Sequence, residues 1–121
     1  MVKQLEIPKR GEVFLLNFDP TIGTEIRKTR PALILQNDIS NEYSPITIVA
    51  ALTAQFDATL YPTEVLIKPP EGGLKKDSVV LLNQIRSIDK QRLIKRLGIL
   101  KPNTMKKIDT ALQISLGLIE I

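Results

Sequence analysis

The chain has 121 residues, 43% hydrophobic and 25% charged, a balance typical of one folded domain that buries about two thirds of its unfolded surface. It contains no cysteine and no histidine, so disulfides, thiolate metal sites and the usual proton shuttle of ribonucleases are excluded. The formal net charge of +4 suits a polyanionic partner such as a nucleic acid.

The chain begins with a short lead-in followed by a strongly apolar strand. Residues 1–9 have little apolar pattern, and we expect them to be poorly ordered. No secretory signal or membrane-spanning run is recognisable, so we expect a single cytoplasmic domain over residues 1–121 with no membrane partner. Residues 12–18 are apolar at nearly every position, which indicates a strand buried on both faces or lying at a subunit contact.

A charge-dense loop over residues 19–31 separates this strand from two further apolar runs. Pro31 disfavours the helical region for the residue before it, so Arg30 should lie at the start of a strand over 32–36. A second run covers 46–53, and the intervening gap is rich in turn residues, which predicts an antiparallel pair joined by a long hairpin loop. The start of the first strand then lies beside the end of the second, so Arg30 and Thr53 should face each other.

The second half predicts more short strands and one helix. Strands are expected at residues 63–68, 78–83 continuing into 84–88, and 96–100. Asp89 should cap a single helical turn. Residues 102–104 offer an N-cap for a terminal helix whose apolar positions recur at helical spacing: Met105, Ile108, Leu112, Ser115 or Leu116, and Ile119. Six or seven short strands with one C-terminal helix predict a mainly β fold, a bent sheet closed into a small partial barrel.

Seven short motifs, in order along nearly the whole chain, carry a family resemblance. They are Gly11-Glu12-Val13, Phe18-Asp19-Pro20, Gly23-Thr24-Glu25, Arg30-Pro31, Gln36-Asn37-Asp38, Val49-Ala50-Ala51-Leu52-Thr53 and Gln84-Ile85-Arg86-Ser87-Ile88-Asp89-Lys90. In this register the chain resembles the MazF/PemK family of toxin endoribonucleases. The resemblance implies an SH3-like barrel, normally a homodimer, that halts growth by cutting single-stranded messenger RNA at specific sequences.

The resemblance also implies a reaction and a partner protein. The products would be a 2′,3′-cyclic phosphate and a 5′-hydroxyl, and the partner would be an antitoxin whose disordered acidic tail occupies the RNA groove. The scarcity of clustered carboxylates and the absence of histidine favour chemistry without a metal or other cofactor. RNA carries its own nucleophile, the 2′-hydroxyl, so the protein need only orient it, move protons and stabilise the phosphorane.

Arg30 and Thr53 are the candidate catalytic residues. A guanidinium can bind two phosphate oxygens at once and stays charged at any relevant pH, and a threonine can supply one oriented hydroxyl. The resemblance assigns acid and base roles to arginine, although arginine side chains keep their proton at any physiological pH and are poor bases. Glu25, in the same loop, is an alternative base that could equally orient Arg30 or contact RNA.

The candidate substrate-binding residues are Gln84, Thr24, Lys28, Arg27, Phe18, Asn83 and Arg86. Gln84 matches a family position that reads a base edge, whereas Asn83 stands where close relatives carry an acidic residue. Phe18 can offer a stacking face or belong to the core, and Arg86 can face the RNA or brace Asp89. Lys28 and Arg27 can steer phosphates or serve as plain surface charge.

Two other functions fit the same fold. CcdB-like toxins share the barrel and the dimer but poison DNA gyrase without cutting nucleic acid, and that branch does not need Glu25, Arg30 or Thr53. A third possibility is a passive nucleic-acid-binding barrel. Cleavage of RNA in the presence of EDTA separates both from a nuclease.

Overall fold

The computed structural model describes residues 7–25 and 28–121. Its elements in chain order are β1 (Glu12–Asn17), β2 (Thr29–Ile34), α1 (Asp38–Tyr43), β3 (Ile46–Thr53), β4 (Glu64–Ile67), a first 3-10 turn (Glu71–Gly73), β5 (Ser78–Asp89), a second 3-10 turn (Lys90–Arg92), β6 (Leu93–Ile99) and α2 (Pro102–Ser115). No helix in the described ranges is long and apolar enough to cross a membrane. Most of the lead-in, residues 1–6, lies outside the described residues.

The six strands form one antiparallel sheet in the order β4-β5-β3-β2-β1-β6. This confirms the mainly β prediction with a C-terminal helix. The predicted hairpin is also present, because β2 pairs with β3 in the register Ala32↔Ala51 to Ile34↔Val49. Irregularities interrupt the ladders of β1 with β6 and of β3 with β5, and such bulges bend the strands that contain them.

Both faces of the sheet are buried, and side-chain alternation assigns each apolar residue to one of two cores. The first core contains Val13, Leu33, Ala50 and Leu52, with Ile108 and Ala111 from α2 packed against it. The second core contains the residues that alternate with them: Phe14, Leu16, Phe18, Ala32, Ile34, Val49, Ala51, Ile88 and Leu93. The two-sided burial predicted for β1 is therefore correct, and β1 lies between β2 and β6.

The first 3-10 turn brings the two edges of the sheet together. It follows β4, and its glycines lie directly on the backbone of β6. A Cβ on Gly73 would fall 1.9 Å from the carbonyl oxygen of Leu97, and one on Gly98 would fall 2.5 Å from the carbonyl carbon of Gly72. Only glycine permits so close an approach of two backbones, so these residues let the bent sheet close on itself.

The gap predicted as a plain loop between β2 and β3 contains the short helix α1. Asn37 caps it by accepting a hydrogen bond from Ser40 N at 2.8 Å. Asn41 is fully buried, accepts from Thr47 Oγ1 at 2.7 Å and donates to Gln36 O at 2.9 Å. Lys90 Nζ donates to Asn41 O from the second 3-10 turn. The polar residues that indicated a turn therefore form a buried hydrogen-bonded cluster that holds a helix.

The C-terminal half follows the predicted pattern with shifted boundaries. β5 is one strand over residues 78–89, Asp89 caps the second 3-10 turn through Gln91 N at 2.8 Å, and β6 begins at Leu93 rather than at residue 96. The helix α2 ends at Ser115, so Ile119 lies beyond it. Periodicity alone extended the helix past Gly117, whose φ of 73° ends it.

The predicted side-chain cap of α2 is wrong, because a distant carboxylate takes its place. Pro102 begins the helix and Lys101 at the N-cap makes no side-chain capping bond, but Glu71 Oε2 accepts from Lys101 N at 2.9 Å. Burial raises the pKa of Glu71, but hydrogen bonds from Thr104 and Lys101 and the charges of Lys101 and Lys107 outweigh it and leave that pKa below its ordinary value. Glu71 therefore ties the first 3-10 turn to α2.

Candidate active site

The pairing of β2 with β3 brings Arg30 and Thr53 to the same end of the sheet. The paired residues of β2 and β3 end at Ala32 and Ala51, and continuing the same antiparallel register by two residues brings Arg30 beside Thr53. Both residues line one cleft of about 410 Å³. Two residues far apart in the sequence thus meet at a single solvent-accessible site, as the strand pattern predicts.

The hydroxyl of Thr53 is held in place by the backbone of its own turn. Thr53 is 9% exposed, its Oγ1 accepts from Gln55 N at 3.1 Å, and it donates to Gln55 O at 3.2 Å. The accepted bond fixes the oxygen, whereas the long donated bond can be exchanged because a hydroxyl hydrogen rotates freely. Thr53 can therefore donate a hydrogen bond to an incoming phosphate oxygen without losing its position.

The cleft has a cationic rim and an apolar floor. Its basic lining residues are Lys28, Arg30, Lys75 and Lys76, and no described carboxylate lines it. Leu52, Leu74 and Leu97 supply the apolar part. Within residues 7–25 and 28–121, no group of three or more acidic side chains is arranged to hold a metal ion. The charge of this cleft therefore suits an anion such as a phosphodiester.

Lys28 stands at the base of the charge-dense loop in an unusual backbone conformation. Its φ is 70°, a region that residues with a side chain seldom adopt. Its N–H donates to Asp19 Oδ1 at 3.1 Å, and its carbonyl accepts from Phe18 N at 3.0 Å. These bonds fix the conformation and place Lys28 in the cleft lining, one residue before β2.

The carboxylate of Glu25 is engaged within its own turn. Its Oε1 accepts from Ile22 N at 2.6 Å, and Glu25 N donates to Ile22 O at 3.1 Å. Glu25 and Thr24 are exposed, and neither lines the cleft that contains Arg30 and Thr53. Arg27, a candidate phosphate-steering residue, lies outside the described residues.

Phe18 belongs to the core, so its candidacy as a base-stacking platform is wrong. It is 0% exposed and packs in the second core. Arg86 covers it, with the guanidinium carbon 5.9 Å from the ring centre and Nη1 donating to Phe18 O at 2.7 Å. Two roles were considered for Arg86, contact with RNA and support of Asp89. The structure favours a supporting role, but the residue that Arg86 supports is Phe18 and not Asp89.

Asn83 and Gln84 lie in an irregular part of β5. The β3–β5 register jumps from Ala51↔Leu81 to Ala50↔Ile85, so residues 82–84 have no direct partners on β3. Asn83 is exposed and Gln84 is half-buried, and neither lines the cleft. Bulges re-aim side chains and are common beside active sites, so this position is compatible with contacts to bases next to the cleft.

Lys75 and Lys76 were not predicted as site residues. Both are exposed and line the cleft from the segment between the first 3-10 turn and β5. The only sequence signal for them was two adjacent basic residues after a turn, a pattern that most often marks solvated charge.

Comparison with known proteins assigns the chain to a family. A model of the PemK-like, MazF-like toxins of type II toxin–antitoxin systems matches residues 9–116. The chain is 49% identical over 114 residues to Endoribonuclease EndoA of Bacillus subtilis (strain 168), covering 94% of this chain and 98% of that protein. It is also similar to MazF (Form-I) from Deinococcus radiodurans, with a TM-score of 0.80, 28% identity and coverage of 93% and 98% of the two chains.

An endoribonuclease from Mycobacterial species, solved in complex with its cognate antitoxin, has a TM-score of 0.77 and 29% identity, and the match covers 94% of this chain and 99% of that one. The family model spans most of the present chain, and the relatives match it over nearly their whole length. The chain belongs to the PemK/MazF family of toxins of type II toxin–antitoxin systems.

Proposed function

We propose that the chain is a metal-independent endoribonuclease that cuts single-stranded messenger RNA at specific sequences and leaves a 2′,3′-cyclic phosphate and a 5′-hydroxyl. The meeting of Arg30 and Thr53 in a cleft with a cationic rim is the observation that carries the proposal. The family match and the endoribonuclease relative support it. They also favour it over the gyrase-poisoning, CcdB-like alternative. We propose that one domain, residues 1–121, performs this activity in the cytoplasm.

The reaction is an internal transesterification. The 2′-oxygen attacks the adjacent phosphorus, its proton leaves to a base, the bond from phosphorus to the 5′-oxygen breaks, and that oxygen takes up a proton. The phosphorane between these steps carries more negative charge than the starting diester. Groups that bind this extra charge lower the barrier, because they contact the transition state more strongly than the substrate.

Arg30 and Thr53 are proposed to supply that stabilisation. The fork of the Arg30 guanidinium can donate to two non-bridging oxygens at once, and the Thr53 hydroxyl can donate to one of them. Removal of one such donor from an enzyme typically slows the chemical step by about 10²- to 10³-fold. We expect a loss of that order for Thr53→Ala and a larger one for Arg30→Ala.

Two residues are candidates for the general base, Arg30 and Glu25. In the free protein the Glu25 carboxylate accepts from Ile22 N, so Glu25 would have to exchange that bond to reach the 2′-hydroxyl. Arginine acts as a base only with difficulty, because it rarely loses its proton. Comparing Glu25→Gln with the native protein over a range of pH addresses this: loss of the acidic limb of the rate profile would identify Glu25 as the base.

Two protein partners complete the proposal. A relative from Mycobacterial species is known in complex with its cognate antitoxin, and we propose that the present chain also binds an antitoxin through an acidic, disordered segment. The net charge of +4 suits such a segment. We further propose that the chain is a homodimer, which light scattering would test directly.

Incubation of the purified protein with a long single-stranded RNA in EDTA, followed by mapping of the ends, tests the proposed activity. Discrete cuts with 2′,3′-cyclic phosphate ends are expected from the native protein and from Thr53→Ser, which keeps the hydroxyl. Arg30→Ala and Thr53→Ala should leave the RNA intact over the time in which the native protein cuts it completely, while their circular dichroism and antitoxin binding stay close to native. Intact RNA with the native protein would overturn the proposal, and unfolding of both alanine variants would mean that the two residues are scaffold.

A further inference from the structure

A second set of positive charges lines the cleft from a segment without a known role. Lys75 and Lys76 lie after the first 3-10 turn, and both line the cleft that contains Arg30 and Thr53. No described carboxylate lines the same cleft, and the one acidic residue next to the pair in sequence, Asp77, is exposed and outside the lining. The two lysines are therefore placed to act on the same anion-binding surface as Arg30.

The segment that carries the lysines is anchored on its N-terminal side. Gly73 lies against the backbone of Leu97, so closely that a Cβ would fall 1.9 Å from its carbonyl oxygen. Leu74, the next residue, is only 6% exposed and packs in the first core. The backbone just before Lys75 is therefore fixed on β6 and in the core, although the lysine side chains themselves reach solvent.

The segment is anchored on its C-terminal side as well. Ser78 is 5% exposed, and its Oγ donates to the carbonyl oxygen of Lys76 at 3.0 Å. Ser78 begins β5, and the next residue, Val79, is paired directly with Thr53. The backbone of Lys76 is thus held at a fixed place relative to Thr53, and such preorganisation lowers the entropic cost of binding.

We propose that Lys75 and Lys76 form a second phosphate-binding position in the cleft, which holds a backbone phosphate of the RNA next to the one held at Arg30. This inference rests on the proposed function and adds to it a binding site for the substrate backbone. A lysine ammonium is a point charge on a flexible stem, which positions a phosphate without reading sequence. An acidic peptide could be attracted to the same charges, but the shared cleft with Arg30 favours RNA.

The test compares two double variants that remove the same charge. Lys75→Ala/Lys76→Ala changes the cleft, whereas Lys106→Ala/Lys107→Ala removes an equally adjacent and exposed pair from α2, away from the cleft lining. A third variant, Lys75→Arg/Lys76→Arg, keeps both charges. The binding probe is a labelled single-stranded RNA with 2′-O-methyl groups throughout, which cannot be cut, so binding is measured apart from chemistry.

The cleft variant should bind the probe about tenfold more weakly at low salt. Its slope of log affinity against log salt should fall by about 0.7, the contribution of one phosphate contact to a single strand. The α2 variant should keep the native slope, and the arginine variant should keep native affinity. In cleavage assays on unmodified RNA, the cleft variant should raise KM about tenfold, with kcat within about threefold of native.

The outcomes separate this inference from the proposed function. If the native protein cuts RNA and the cleft variant has native KM and salt slope, the lysine site is wrong and the nuclease stands. If the native protein binds the probe but cuts nothing, the nuclease fails, and the salt slopes still decide the lysine site. A cleft variant that loses affinity for poly-L-glutamate but not for RNA, or an equal loss in the α2 variant, would also overturn the lysine site.

Discussion

Substitution of Gly98 by alanine tests whether the first 3-10 turn lies on β6. In an ordinary strand, glycine to alanine stabilises by about 0.5–1 kcal/mol, because alanine loses less backbone freedom on folding. Here the new Cβ would lie 2.5 Å from the carbonyl carbon of Gly72 and 2.6 Å from Gly73 N, whereas ordinary contact begins at 3.4 Å. The turn would have to move by about 0.9 Å, and both clashing groups are backbone atoms that cannot rotate away.

Overpacking of this kind typically costs about 1–3 kcal/mol, and we expect the upper end of that range for Gly98→Ala. For a chain of this length the loss corresponds to a fall in Tm of about 10 °C. Gly117→Ala is the matched control, because a Cβ there meets nothing within 4 Å and only the φ of 73° opposes it. Its expected cost is about 1 kcal/mol.

Urea unfolding of the three proteins, followed by far-UV circular dichroism, measures both effects. Displacement of the turn should also shift the segment that carries Lys75 and Lys76, so Gly98→Ala should bind RNA more weakly than Gly117→Ala at a temperature where both are folded. If Gly98→Ala is as stable as the native protein, or more stable, the turn does not contact β6 as described, and the closure of the sheet has been misassigned.

Three further substitutions test other parts of the structure. Phe18→Ala should lower the free energy of unfolding in urea by about 3–5 kcal/mol, because the ring is fully buried. Tyr61→Ala, at an exposed ring, should change it by less than about 0.5 kcal/mol. An equally small effect at both positions would contradict the burial of Phe18. Lys28→Gly should raise stability by about 1 kcal/mol by relieving the positive φ while weakening RNA binding, and a destabilised variant would contradict that conformation. The pKa of Glu71 is lowered in the folded protein, so its carboxylate adds stability above the ordinary pKa of 4.5, and this stability is lost as the pH falls through the lower folded pKa. In that acidic range, the stability of Glu71→Gln should therefore depend less on pH than the stability of the native protein.

The convergence of Arg30 and Thr53 could be predicted from the sequence because antiparallel pairing follows a simple geometric rule. Two apolar runs joined by a hairpin place the start of one beside the end of the other, whatever lies between them. The helix α1 inside the connection did not disturb that rule. Its own formation was missed, because the buried cluster around Asn41 involves Lys90, and no local pattern indicates that distant contact.

The position of Lys75 and Lys76 in the cleft could not be predicted from the sequence, because it depends on the close backbone contact of two glycines. Gly73 and Gly98 meet because neither has a side chain, and a glycine-rich turn does not reveal which strand it will contact. Phe18 was ambiguous for a related reason. It ends an apolar run beside a charged loop, and its ring is buried by the second core and by Arg86 from β5, contacts that no local pattern indicates.

The sheet places the irregular part of β5 close to Thr53, but the two do not share hydrogen bonds that fix the Thr53 side chain. β3 lies between β2 and β5, and the register jump falls between Ala50 and Ala51, two to three residues before Thr53. A point one strand across the sheet and two residues along it from Thr53 lies about 8 Å from that residue. In the proposed reaction, we therefore expect a base next to the phosphate held by Arg30 to reach Asn83 or Gln84. Because the hydrogen bonds that fix Thr53 do not involve the bulge, substitutions at position 83 can change which base is preferred while the chemical step stays intact.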